Sequence, residues 1–116
     1  MLHEKVVGIA GDLVVDNLGI SPADRAVLTN EVNIIINNAA SINFDDPLLE
    51  ALQINYFGCL RILQLAKECK NLDTFTHVST AYVNSNREGY IEEKIYDLPG
   101  GEDPESVIAS ILKMNP

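Results

Sequence analysis

An α/β fold built on a parallel sheet with helices on both faces is the class this sequence predicts, and three observations carry it. Short runs rich in Val, Ile and Thr are separated by longer stretches of helical periodicity. Their order, strand, helix, strand, helix, strand, is the rhythm of right-handed crossovers that cover a sheet on both sides. The central run, Val32 to Ile36, lacks regular alternation and is bounded by turn residues. Such a run is what a strand buried on both faces looks like.

The elements follow in order. Lys5 to Leu13 (KVVGIAGDL) reads as a short strand closed by a Gly-Asp turn. Ser21 to Asn30 reads as a helix, with Ser21 as N-cap, Pro22 at the first helical position and Asp24 in the first turn. After the Val32–Ile36 strand, a helix is expected from about Pro47 to Lys70, capped by Asp45 or Asp46. Asp73 to Val83 is strand again, and Asn84 to Pro104 is an acidic loop punctuated by Gly and Pro. A last capped helix starts near Pro104 and ends before Pro116.

With 116 residues and 47% hydrophobic content the chain is one domain at most and has enough apolar side chains for a core. No window reaches the roughly 18 uninterrupted apolar residues of a membrane span. Met1 to Lys5 leads into the first strand with no signal-peptide pattern. A formal charge of −9 without a basic stripe makes nucleic acid a poor partner. Cys59 and Cys69 lie ten residues apart in one expected helix, about 15 Å along the axis, too far for a disulfide. They also lack metal-ligand spacing, so no metal is expected. Reduced thiols favour an intracellular setting, cytoplasmic or organellar.

In α/β sheets, ligands bind beyond the carboxyl ends of the strands. Here those ends are Gly11-Asp12-Leu13, Asn37-Asn38-Ala39-Ala40 and Ser79-Thr80-Ala81. Small side chains let a ring or ribose approach the backbone, a carboxylate accepts from an exocyclic amine, and a hydroxyl donates to a carbonyl. The same residues also serve as simple turn formers. On the long helix, Leu48, Leu52, Cys59, Ile62, Leu63 and Ala66 form one apolar stripe at 100° per residue, with Asn55 in its middle. Burying that amide without partners costs about 1–3 kcal/mol. It therefore either pins two core elements together or sits beside a reaction centre.

The stretch INNAASINFDDPLLEALQINYFGCLRILQLAKECKNLDTFTHVSTAYVN, with the later IEEKIY, resembles the middle of an extended short-chain dehydrogenase/reductase. More narrowly, INFDDPL, STAYVN and EEKIY resemble the NAD(P)-binding reductase domain of fatty acyl-CoA reductases, the male-sterility-like group. The resemblance runs from about Gly11 to Asp103. It implies a Rossmann-like domain, of which residues 1–116 are the central part, and an NADPH-dependent reduction of acyl-CoA to fatty alcohol. NADP(H) is the implied cofactor, with NAD(H) left open, and acyl-CoA the implied substrate. Asp12 and Leu13 would flank the adenine, and Ala39 and Ala40 would lie along the ribose and pyrophosphate. Ser79 would border the nicotinamide and, helped by Thr80, polarise the carbonyl that receives hydride. Asn55 would support a helix bend or a proton-relay water.

Two departures from that pattern matter. The glycine-rich G-x-x-G-x-x-G turn that holds a pyrophosphate is absent. A Tyr-x-x-x-Lys string occurs once, at Tyr90–Lys94, but in a polar loop with two added carboxylates that would raise the tyrosine pKa. It is not the expected catalytic pair. The first βα unit and the C-terminal part of the domain are thus expected outside these residues, and the visible strands need the rest of a longer chain or a protein partner to cover their edge. Two alternatives stand beside the reductase reading: a non-catalytic subunit of the same fold, or another extended reductase of the epimerase or hydroxysteroid dehydrogenase type.

Overall fold

Ile34–Asn37 (β1) and Thr74–His77 (β2) pair in parallel, in the register Ile34↔Thr74 to Asn37↔His77. The computed structural model describes residues 5–114; the leading Met1–Glu4 and the expected stop at Pro116 lie outside the described residues. The chain divides into two units, residues 1–79 and 80–116.

In the first unit, Ser21 caps the helix Pro22–Glu31 (α1) as expected, accepting the Asp24 N–H at 3.1 Å. The Ser21 hydroxyl in turn donates to the Asp24 carboxylate at 2.7 Å. The connection from β1 to β2 is helical, and its last part, Gly58–Glu68 (α3), packs against both β1 and α1. Leu65 and Ala66 of α3 are buried together with Leu18 and Asn37. Arg25 on α1 grips Glu68 on α3 with two hydrogen bonds of 2.9 Å, and its third donor reaches the Asn17 carbonyl at 3.3 Å. That carbonyl belongs to an unusual turn in which Asn17, Leu18 and Gly19 all have positive φ. A left-handed leucine costs about 1–2 kcal/mol. Burial of its side chain, worth about 1.5–3 kcal/mol, offsets this.

Several expectations are corrected. Lys5–Leu13 is not a strand, because among the described residues the sheet contains only β1 and β2 and offers this segment no ladder. Nor is β1 buried on both faces: Ile34 and Ile36 are 58% and 66% exposed, while Asn37, on the opposite face, is buried. The second strand is shorter than Asp73–Val83 and stops at His77.

The expected Pro47–Lys70 helix is three segments: Leu48–Ala51 (α2), a π-helical turn Leu52–Phe57, and α3. Neither Asp45 nor Asp46 caps it; the N-cap is Pro47, and the Asp46 carboxylate instead accepts from the Ser41 hydroxyl and from Asn43 Nδ2. The π-turn adds a residue to one turn of the helix and so breaks the 100° phase on which the apolar stripe was drawn. Asn55 consequently does not lie on the core face but is exposed. Its amide pairs with one backbone unit, Oδ1 accepting the Ser41 N–H at 2.8 Å and Nδ2 donating to the Ser41 carbonyl at 3.3 Å. It thus pins the loop after β1 to the helix.

In the second unit, Ala81–Asn84 forms a 3-10 turn opened by Thr80, and Pro104–Met114 forms the last helix, α4. Asp103 accepts the Ser106 N–H at 2.9 Å and its hydroxyl at 2.8 Å. These bonds, the backbone one foremost, hold the Asp103 carboxyl below its ordinary value.

Two predictions follow from this packing. The Arg25 hydrogen bond holds the Glu68 carboxyl below the ordinary glutamate value of 4.5, so its stabilisation is present above that pH and is lost as pH falls through the lower folded value. Arg25→Gln should therefore lower Tm at pH 7 and flatten the loss of stability as pH falls below the ordinary glutamate value of 4.5. An unchanged acid limb in thermal melts would show that the pair contributes nothing. Asn55→Ala should cost about 1 kcal/mol and speed amide exchange at Ser41, and an unchanged Ser41 exchange rate would contradict the pinning role.

Candidate functional site

β1 and β2 run parallel and in register, so their carboxyl ends fall on one edge of the sheet. Ala39 and Ser79 each stand two residues beyond the last pair, Asn37↔His77. Ala39, Ala40 and Ser79 are all exposed there.

The end of the sheet is fixed by Asn37, which the sequence reading placed among the ligand-facing strand ends but which is buried. Asn37 is 3% exposed, and its Nδ2 lies 3.0 Å from His77 Nδ1. Its Oδ1 accepts the Ala39 N–H at 3.4 Å, which orients the amide, and its backbone carbonyl accepts the Val78 N–H at 2.9 Å. With Nδ2 donating, His77 Nδ1 is the acceptor in this contact. The Cys59 thiol approaches the same Nδ1 at 3.6 Å. The available signal was that Asn37 and His77 each stand two residues before a small side chain, Ala39 and Ser79, but their facing each other depends on register, which one strand alone does not reveal.

Asn55 joins this edge indirectly. Both ends of its amide are committed to Ser41, next to Ala40. The loop it anchors is itself closed by Ser41, Asn43 and Asp46, with Asn43 Nδ2 donating to Asp46 Oδ1 at 2.6 Å. Asn55 is therefore tied to the Ala39–Ala40 segment.

Asp12 and Leu13 border an open groove of about 370 Å³, whose walls include Val7, Ile9, Gly11 and Ile62. Asp12 Oδ1 accepts the Val14 N–H at 3.0 Å, and the Asp12 N–H donates to the Leu18 carbonyl at 2.8 Å. The close approach requires Gly11, where a Cβ would come within 3.0 Å of the Leu18 carbonyl oxygen. An apolar groove with one exposed carboxylate at its rim suits a flat ring bearing an amine.

Thr80 belongs to the second unit, where its hydroxyl oxygen accepts the Tyr82 N–H at 3.2 Å. In the same unit Tyr90 is 90% exposed. Lys94 is salt-bridged to Glu92 and lies 4.9 Å from the centre of the Tyr96 ring, with Arg87 3.9 Å from that centre. The Lys94 ammonium is thus engaged within its own loop. No helix among the described residues is long and apolar enough to cross a membrane.

Comparison with known proteins gives these features a family. A family model described as "Male sterility protein", an NAD(P)-binding domain family, matches residues 1–114. A Drosophila melanogaster protein provisionally named as a fatty acyl-CoA reductase is 44% identical over 104 residues, which is 90% of this chain and 20% of that protein. Fatty acyl-CoA reductase 8 of Arabidopsis thaliana is 42% identical over 95 residues, 81% of this chain and 19% of its own. Fatty acyl-CoA reductase 1 of Homo sapiens is 37% identical over 113 residues, covering 97% of this chain and 21% of its own. The chain thus spans about a fifth of the length of these relatives. It belongs to the male sterility family of NAD(P)-binding domains and is homologous to the fatty acyl-CoA reductases.

Proposed function

We propose that this chain is the central part of the reductase domain of an NADPH-dependent fatty acyl-CoA reductase, which converts an acyl-CoA thioester to a fatty alcohol. The observation that carries the reading is the shared edge: Ala39 and Ser79 each follow, by two residues, the Asn37↔His77 pair that ends the parallel ladder. Small residues there leave room for a dinucleotide to cross the strand ends, and the hydroxyl can meet the substrate.

The residues fit a dinucleotide at its adenine end. The groove offers apolar walls to the base and the Asp12 carboxylate to its exocyclic amine. Ala39 and Ala40 carry no side chain beyond Cβ and admit the ribose and pyrophosphate. A reduced nicotinamide supplies hydride when bound. The chain's own part in the chemistry is assigned to Ser79, which donates its Oγ–H to the thioester carbonyl oxygen and stabilises the charge that develops there. Thr80 assists by donating its own hydroxyl proton, its oxygen being already engaged as acceptor from Tyr82. Asn55 acts on the backbone that borders the cofactor, holding Ser41 and through it Ala40. The Asn37–His77 contact keeps the two strand ends together so that Ser79 stays in place.

NADP(H) is preferred to NAD(H) from the resemblance to the acyl-CoA reductases. An intracellular location, cytoplasmic or organellar, is supported by two cysteines that are both free. The exposed face carrying Ile34 and Ile36 supports the view that further protein covers the sheet, whether the rest of a longer chain or a partner.

Ser79→Ala in the full-length protein should lower kcat for acyl-CoA reduction by about 10²-fold or more, the loss expected when one donor to a developing oxyanion is removed. NADPH affinity should be retained. Tyr90→Phe serves as the control and should keep nearly full activity. Unchanged turnover in Ser79→Ala, or an inactive Tyr90→Phe, would overturn the assignment.

A further inference from the structure

We propose that Arg61 is a positioning residue for the adenine end of the cofactor site: it holds the Asp12–Leu13 turn at the correct height over α3. The inference rests on the reading of Asp12 and Leu13 as the adenine contact.

Arg61 is half-buried, and Nη1 donates to the Leu13 carbonyl at 3.0 Å while Nη2 reaches Gln53 Oε1 at 3.5 Å. The chain has 17 acidic residues against 8 Lys and Arg, yet both hydrogen bonds go to neutral oxygens, one of them the carbonyl of Leu13, which lines the groove. A surface arginine whose only role was solubility would have no reason to be fixed this way. Guanidinium is suited to the task because its rigid fork reaches two acceptors on different elements at once.

The surrounding geometry makes the position of Leu13 a matter of tenths of an ångström. Gly58, one turn before Arg61 on the same face of α3, lies directly beneath it, and a Cβ there would come 3.1 Å from the Leu13 Cβ. Ile62, the residue after Arg61, lines the groove itself. Leu13 is therefore pulled down by Arg61 and supported from below by a bare backbone. Its neighbour Asp12 is tethered to the same turn through Val14 and Leu18. Releasing the Leu13 carbonyl would let the whole turn lift, taking the Asp12 carboxylate with it.

The test uses full-length protein in wild-type, Arg61→Lys, Arg61→Met and Gly58→Ala forms, with AMP as the probe of the adenine site and steady-state kinetics on NADPH. In Arg61→Met, the Kd for AMP and the KM for NADPH should rise about tenfold, the scale of one lost hydrogen bond to a charged donor. In the same variant kcat at saturating substrates should stay within about twofold of wild type, since no group at the reacting carbonyl has changed. Arg61→Lys, which retains a donor, should recover most of the affinity. Should Arg61→Met not fold, Gly58→Ala reads the same effect by pushing Leu13 from below, and a raised KM with kcat preserved supports the proposal. Wild-type AMP affinity in Arg61→Met, or kcat and KM damaged together without rescue by lysine, would overturn it. If wild-type protein binds NADPH but not AMP, the adenine reading of Asp12 and Leu13 fails and the proposal with it. If AMP binds wild type and Arg61→Met equally, only the role of Arg61 fails.

Discussion

The parallel pairing of β1 with β2 is the constraint on which the other features depend. It sets Asn37 against His77, the last pair of the ladder, and Ala39 and Ser79 each follow two residues later. A buried amide is costly unless satisfied. A slip in register would leave Asn37 Nδ2 without His77 as well as turning the apolar residues of β1 to the opposite face.

Around this pair the helical crossover does two tasks. Its π-turn carries Asn55 out of the core stripe and onto the Ser41 backbone, which fixes the loop following β1. Its following turns, through Gly58 and Arg61, seat the Asp12–Leu13 segment. One crossover thus positions both the loop beside Ala40 and the rim of the groove, two places that the amino-acid sequence separates by some 27 residues. The left-handed Asn17–Gly19 turn completes the arrangement by returning the chain to Asp12, with Leu18 as its buried anchor.

Where side-chain chemistry alone decides structure, the amino-acid sequence was readable. Ser21 and Pro22 marked the start of α1, the Ile34–Ile36 run marked a strand, and the resemblance to the acyl-CoA reductases pointed to the family. What could not be read were features created by contact at a distance. Lys5–Leu13 has strand-forming residues, but no ladder reaches it among the described residues. Asn55 seemed buried because an ideal helix was assumed, and a π-turn has no reliable mark in residue type. Asn37 was read as a ligand-facing strand end and His77 as the interior of a longer strand, until register set them face to face. Arg61 carried no mark in the amino-acid sequence, since its acceptor lies 48 residues earlier.

The central claim is that a dinucleotide crosses the carboxyl ends of these strands, from Asp12 past Ala39 to Ser79. Hydrogen exchange on the full-length protein, with and without saturating NADPH, tests it most directly. The account predicts slower exchange on binding in three separated segments, around residues 11–14, 38–41 and 78–80, with little change in α4. Saturable NADPH binding that protects none of the three would contradict it.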